Sequence, residues 1–108
     1  MADTFQSTRE VILRTQAWEQ AADFYGSVLG LPASYRSDHI IGFETGSFCL
    51  YVERGRPHPP VFELLVDDLA VARERLLAAG CTVLEEDASV PRCYIRDPYD
   101  FVFNLRAR

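Results

Sequence analysis

The stretch Ala22-Asp23-Phe24-Tyr25-Gly26-Ser27-Val28-Leu29-Gly30-Leu31 decides how this chain is read. Together with the turn before it, it sets Trp18, Ala21, Ala22, Tyr25, Val28 and Leu29 at three- and four-residue spacing, which is one face of a helix. The pattern predicts a helix over residues 17–29, with Gly30 supplying the left-handed stop. Ahead of it, residues 10–15 (E-V-I-L-R-T) are aliphatic, β-branched and bounded by polar residues, which predicts a strand. After Leu31-Pro32, residues 33–37, 39–44 and 48–53 read as three short strands, with Ser37-Asp38 and Thr45-Gly46-Ser47 as turns. The order is β-α-β-β-β, and residues 54–60 (R-G-R-P-H-P-P) read as a polar linker too proline-rich to join a ladder.

Beyond that linker the order recurs. Residues 61–66 predict a strand, Asp67-Asp68 a helix start, and Leu69, Ala72, Leu76 and Ala79 an apolar stripe ending before Gly80. Strands over residues 81–85, 92–96 and 101–106 complete the second set. Gly30 and Gly80 end corresponding helices about 50 residues apart, and Leu50-Tyr51-Val52 matches Phe103-Asn104-Leu105 at a similar offset, so the chain is an internal duplication. The expectation is one α+β domain over residues 1–108, built of a module at about 9–55 and a second at about 60–106, folded around a shared cleft.

Bulk properties narrow the function. At 108 residues, 48% hydrophobic, the chain has material for a single core. It holds no run near the roughly 18 apolar residues that a membrane helix needs, and residues 1–9 are polar, so a soluble cytoplasmic protein with no membrane partner is expected. Cys49, Cys81 and Cys93 are odd in number and widely spaced, which suits reduced, buried thiols better than a disulfide framework or a paired-cysteine metal motif. A net charge of −5 argues against nucleic acid and fits a neutral or cationic small ligand.

The run quoted first closely resembles the "FY..VLGL" helix end of the vicinal oxygen chelate superfamily, which holds glyoxalase I, extradiol dioxygenases and bleomycin-resistance proteins. Val66-Asp67-Asp68-Leu69 resembles that superfamily's "VDDL" helix start, Ala78-Ala79-Gly80-Cys81-Thr82-Val83 its "AAG..V" helix end, and Ile95-Arg96-Asp97-Pro98-Tyr99-Asp100 its "RDPDG" hairpin. The resemblance runs from about Arg9 to Arg106. It implies paired βαβββ modules whose eight strands form an open, barrel-like sheet around a cleft, with the helices outside, and it implies a homodimer.

The resemblance also places a metal site. Metal-dependent members take one ligand from the first strand and one from the last strand of each half, and counting from the motifs puts these positions at Glu10, Tyr51, Val61 and Asn104. Valine offers no donor atom, and a transition metal needs several converging imidazole, carboxylate or thiolate groups. His39 and His58, the two histidines, both miss the ligand positions. No metal and no other cofactor is therefore expected, although Cys49 and Glu63 with Glu10 form an improvised alternative set.

Strand alternation then fixes what shares a face with those positions. Ligand-binding candidates are Glu10 and Arg14 on the first strand, with Cys49 and Tyr51 on the fourth. The second half adds Glu63, then Arg92, Tyr94 and Arg96, then Asn104. Tyr51 and Tyr94 read as stacking platforms for a planar ligand, and Glu10, Glu63 and Asn104 as the groups that fix its polar edge. Ion pairs of Glu10 with Arg14 and of Glu63 with Arg92 or Arg96 are the purely structural alternative. Residues such as Val11, Leu13, Phe48, Leu50, Phe62, Phe101 and Phe103 fall on the opposite face and are expected to pack beneath the helices. The favoured reading is a metal-independent, drug-sequestering protein that resembles the bleomycin-resistance type and holds a small organic ligand, planar or cationic. The alternatives are an enzyme of the same fold, with an atypical metal site or with Glu63 as acid/base, and a protein-interaction module without a small ligand.

Overall fold

A computed structural model of the chain describes residues 4–90 and 92–108, so the first three residues of the polar N-terminal stretch lie outside it. The elements run β1 (Gln6–Thr15), α1 (Trp18–Asp23), a π-helical turn (Phe24–Val28), β2 (Ala33–Arg36), β3 (Ile40–Glu44) and β4 (Cys49–Arg54). They continue with β5 (His58–Val66), α2 (Leu69–Ala78), β6 (Thr82–Asp87), β7 (Arg92–Arg96) and β8 (Val102–Ala107). This is the duplicated βαβββ order of an α+β protein. The chain divides into an N-terminal unit, Arg9–Val61, and a C-terminal unit, Phe62–Arg108 together with the chain up to Thr8.

In the N-terminal unit the strand order is β2-β3-β4-β1, with β1 parallel to β4 and the other neighbours antiparallel. The helix covers one face. Trp18, Ile41, Phe43, Leu50 and Val52 form its buried core, with Val11, Leu13, Ala21, Ala22, Tyr25 and Leu31 packed around them. Each fully buried aliphatic side chain contributes about 1.5–3 kcal/mol, so this face holds the unit together. Trp18 anchors the helix to the sheet: its indole N–H donates to the Val52 carbonyl at 2.9 Å, and the Arg54 guanidinium lies 4.6 Å above its ring.

The C-terminal unit has the matching order β5-β8-β7-β6, with β5 parallel to β8. Its core is Val66, Ala72, Cys81, Cys93, Ile95, Phe103 and Leu105, closed by Phe5, Leu64, Leu69, Leu76 and Val83. Asp68 caps α2 by accepting the Val71 N–H at 3.1 Å. Gly30 and Gly80, at φ of 71° and 102°, make the two left-handed stops. Asp100 is left-handed as well, at φ 73°, and forms the turn that its short polar side chain permits.

Four expectations change. The first helix is not regular throughout: after Asp23 it widens into a π turn, where the Leu29 N–H reaches back to the Phe24 carbonyl at 3.0 Å. The linker is shorter, because β5 begins at His58 and contains Pro59 and Pro60. Proline suits extended backbone, and the ladder to β8 starts only at Phe62, beyond both rings. Phe48 and Phe101 are exposed rather than packed under the helices, because β4 starts at Cys49 and β8 at Val102, which leaves both in turns where alternation no longer holds. Phe62 is half exposed, with its ring 5.6 Å from that of Phe103.

Candidate functional site

On β1 and β4 the parallel register pairs Glu10 with Cys49, Ile12 with Tyr51 and Arg14 with Glu53. The face opposite the helix thus gathers three of the expected residues, Glu10, Cys49 and Tyr51, around the tyrosine hydroxyl. Burial first, then a hydrogen bond to Cys49, then the charge of Glu10, push the Tyr51 hydroxyl up to about 12. The Tyr51 ring packs on Tyr35 at 6.5 Å and over Gly42, where an added Cβ would stand 2.8 Å from Tyr51 Cε1. Ser34 Oγ lies 3.3 Å from Cys49 Sγ.

Arg14 pairs across the ladder. Its Nε donates to Glu53 Oε1 at 2.9 Å, and both side chains are buried. The parallel pairing explains this contact, since Glu53 lies directly across the ladder from Arg14.

On the C-terminal unit the register sets Glu63 beside Asn104, and Asn104 beside Tyr94. Glu63 is 3% and Asn104 2% exposed. The Asn104 amide donates to Glu63 Oε2 at 2.9 Å, and its oxygen accepts the main-chain N–H of Cys93 at 2.8 Å. The ion-pair partner of Glu63 is Arg106, at 3.3 Å from Oε1, and neither Arg92 nor Arg96. That contact lacks hydrogen-bond geometry, so Oε1 is a buried acceptor without a hydrogen bond. Arg92 pairs instead with Glu85 at 3.2 Å and lies 5.6 Å over the Tyr94 ring. Tyr94 is 4% exposed, which corrects its reading as a stacking platform, and Arg96 stands exposed at the far end of β7. The charges expected to lie in open solvent are thus buried by pairing.

These registers also test the metal positions. Val11 pairs with Leu50 and Phe62 with Phe103, so with Leu50-Tyr51-Val52 matched to Phe103-Asn104-Leu105, Glu10 and Val61 are equivalent positions, as are Tyr51 and Asn104. Val61 is 2% exposed and apolar, and the Asn104 oxygen is already committed to Cys93. Among the described residues no group of three or more His, Cys, Asp or Glu side chains is placed to hold a metal ion. The donor set does not fit the metal that the fold family implies.

A cavity of about 810 Å³ opens within the C-terminal unit. The β7–β8 ladder ends at Tyr94 and Asn104, and past that point the sheet forks: Arg92 and Cys93 on one prong and Leu105 and Arg106 on the other line the opening. Leu65, Leu69, Ala88 and Val90 supply apolar wall. Glu86, also in the lining, is held by Arg73 through two contacts at 2.9 and 3.2 Å and accepts from the Cys93 thiol at 3.6 Å. Burial, reinforced by the charge of Glu86, pushes that thiol up to about 11. Sequence reading found Arg92 but missed Glu86, because β6 runs past the expected strand end at residue 85 and a bulge between Val83 and Glu85 shifts its register.

A family model described as a glyoxalase-like domain matches residues 10–106. In fold the chain is similar to the Mn(II)-bound glyoxalase from Novosphingobium aromaticivorans, with TM-score 0.66, 19% identity, and 98% of this chain and 40% of that one covered. It is also similar to homoprotocatechuate 2,3-dioxygenase from Brevibacterium fuscum in its complex with 3,4-dihydroxyphenylacetate, with TM-score 0.68, 19% identity, and 99% and 38% covered. A hypothetical protein from Bacillus halodurans C-125 matches over 100% of this chain and 96% of its own, with TM-score 0.65 and 10% identity. The chain spans 40% or less of the glyoxalase and dioxygenase chains, and identities this low speak to the fold alone. No curated protein matches the sequence.

Proposed function

Because the chain belongs to the glyoxalase-like domain family, we propose that it is a metal-independent member that binds a small organic molecule, acting by sequestration in the manner of bleomycin-resistance proteins. One observation carries this reading. At the positions where metal-dependent members place ligands, Val61 has no donor atom and Asn104 spends both ends of its amide on Glu63 and Cys93. A divalent ion held by the remaining Glu10 and Tyr51 would have too few ligands for Lewis-acid chemistry, so family reactions that run through the metal have no support here.

The protein's task on this reading is recognition: a concave, largely apolar surface with a few fixed polar groups, which is how small-molecule sites are built. Elemental analysis of protein purified without an affinity tag, joined to a thermal-shift screen of planar compounds that are cationic, neutral or anionic, tests it. A ligand present at 100 times its dissociation constant adds about 2.7 kcal/mol of stability. Metal-free protein stabilised by such a compound is the expected result, and stoichiometric manganese, iron, nickel or zinc overturns it.

The buried Oε1 of Glu63, without a hydrogen bond, favours a second reading, in which Glu63 serves as acid or base for a bound substrate. Conversion of a bound compound by the wild-type protein that is lost in Glu63→Gln, with binding retained, would establish it.

A further inference from the structure

The forked end of the C-terminal sheet is more specific than a generic pocket, and we infer that it binds an apolar small molecule bearing a single oxyanion, a carboxylate or its equivalent. This rests on the reading of metal-independent binding and adds to it a place and a charge.

The fork is built in. Where β8 would continue its ladder with β7, the Asn104 side chain takes the Cys93 N–H at 2.8 Å, satisfying that donor and ending the pairing. The same side chain is tied to Glu63 at 2.9 Å, so the strut is fixed at both ends. The space beyond, about 810 Å³, falls in the range of about 300–1,000 Å³ that small-molecule sites occupy. Leu65, Leu69, Leu105 and Val90 give the apolar body of a ligand its contacts.

The charge follows from which lining groups are already engaged. Both carboxylate oxygens of Glu86 are taken by Arg73, and Asp87 Oδ1 accepts the N–H and the hydroxyl of Ser89 at 3.0 and 2.7 Å. Both oxygens of Glu86 and one of Asp87 are therefore already engaged. The cavity's donors are in surplus: Arg106 carries five N–H groups and meets Glu63 through one contact without hydrogen-bond geometry. A ligand complementary to this wall brings acceptors, and guanidinium pairs best with a planar oxyanion.

Three probes with one aromatic body test the inference: naphthoate, naphthylmethanol and naphthylmethylammonium, titrated calorimetrically into the full chain. Naphthoate is expected to saturate a single site, with the neutral and cationic analogues weaker by roughly ten-fold or more. Ala88→Trp and, independently, Ala107→Trp add bulk at exposed lining positions and should each weaken naphthoate by roughly ten-fold, while circular dichroism reports the fold intact. Arg106→Met, made together with Glu63→Gln so that no buried carboxylate is stranded and checked by circular dichroism, should weaken naphthoate to the level of naphthylmethanol, whereas Glu63→Gln alone should not. Equal binding of the three probes, naphthoate binding indifferent to both tryptophans, or no saturation overturns the inference. Stoichiometric bound metal would overturn the broader reading alone, since the probe titrations still decide on the fork.

Discussion

Asn104 donates to Glu63 across 2.9 Å although 41 residues separate them, and it does so from the strand position where the family resemblance implies a metal ligand. The amide grips a carboxylate at one end and a strand at the other. Replacing it with leucine keeps the volume and removes both bonds, leaving a buried carboxylate and a buried N–H unsatisfied. Asn104→Leu should cost about 3 kcal/mol of stability in urea denaturation. Asn104→Asp should lose stability as pH rises through the acidic range, because two adjoining carboxylates raise one ionisation and are tolerated only while sharing a proton. A flat profile would count against the pairing.

The buried Arg14–Glu53 pair gives a second test. Arg14→Met strands a buried carboxylate and should destabilise by about 3–5 kcal/mol, whereas adding Glu53→Leu should recover most of the loss. Additive effects of the two substitutions would show that the charges do not depend on each other.

Gly42 is needed for want of room. A Cβ there would stand 2.8 Å from Tyr51 Cε1 and 3.2 Å from Ser34 Oγ, so Gly42→Ala should cost about 1–3 kcal/mol in the wild-type background. Combined with Tyr51→Leu, which removes the ring, the same change should cost distinctly less, as read by thermal unfolding.

Alkaline pH should weaken the fold. Tyr51 and Cys93 ordinarily ionise at 10.0 and 9.0, and the folded chain displaces them to about 12 and about 11, chiefly by burial. Between the ordinary and displaced values the unfolded chain has lost protons that the folded chain keeps. The stabilisation is therefore complete below the ordinary values and drains away as pH climbs through the displaced ones. In a near-ultraviolet titration Tyr51 should ionise near its displaced value of about 12, and Tyr51→Phe should delete that step.

Much of this was legible from sequence because the duplication states it twice. Gly30 and Gly80 located the helix ends, and alternation placed Leu50, Val52, Ile95, Phe103 and Leu105 under the helices. The motif count that put Glu10 and Val61 at matching places agrees with the ladder registers. What alternation could not supply was the identity of partners. Arg14 lies opposite Glu53, and Glu63 reaches Arg106, because parallel registers are set by packing between strands about 40 residues apart. The fork was hidden for a related reason: it rests on a side chain standing in for a carbonyl, which leaves the hydrophobic pattern unaltered.

The widened turn at Phe24–Val28 bears on how the two halves diverged. From helix start to stop glycine, Trp18 to Gly30 holds one residue more than Leu69 to Gly80, and a turn closed over five residues instead of four is where one extra residue is absorbed without moving either flank. The two helices thus differ in length by one residue, with Gly26 at the spot where an added Cβ would press to 3.3 Å from Phe43. Deleting one residue of that turn should return the first helix to ordinary pitch and match its length to the second.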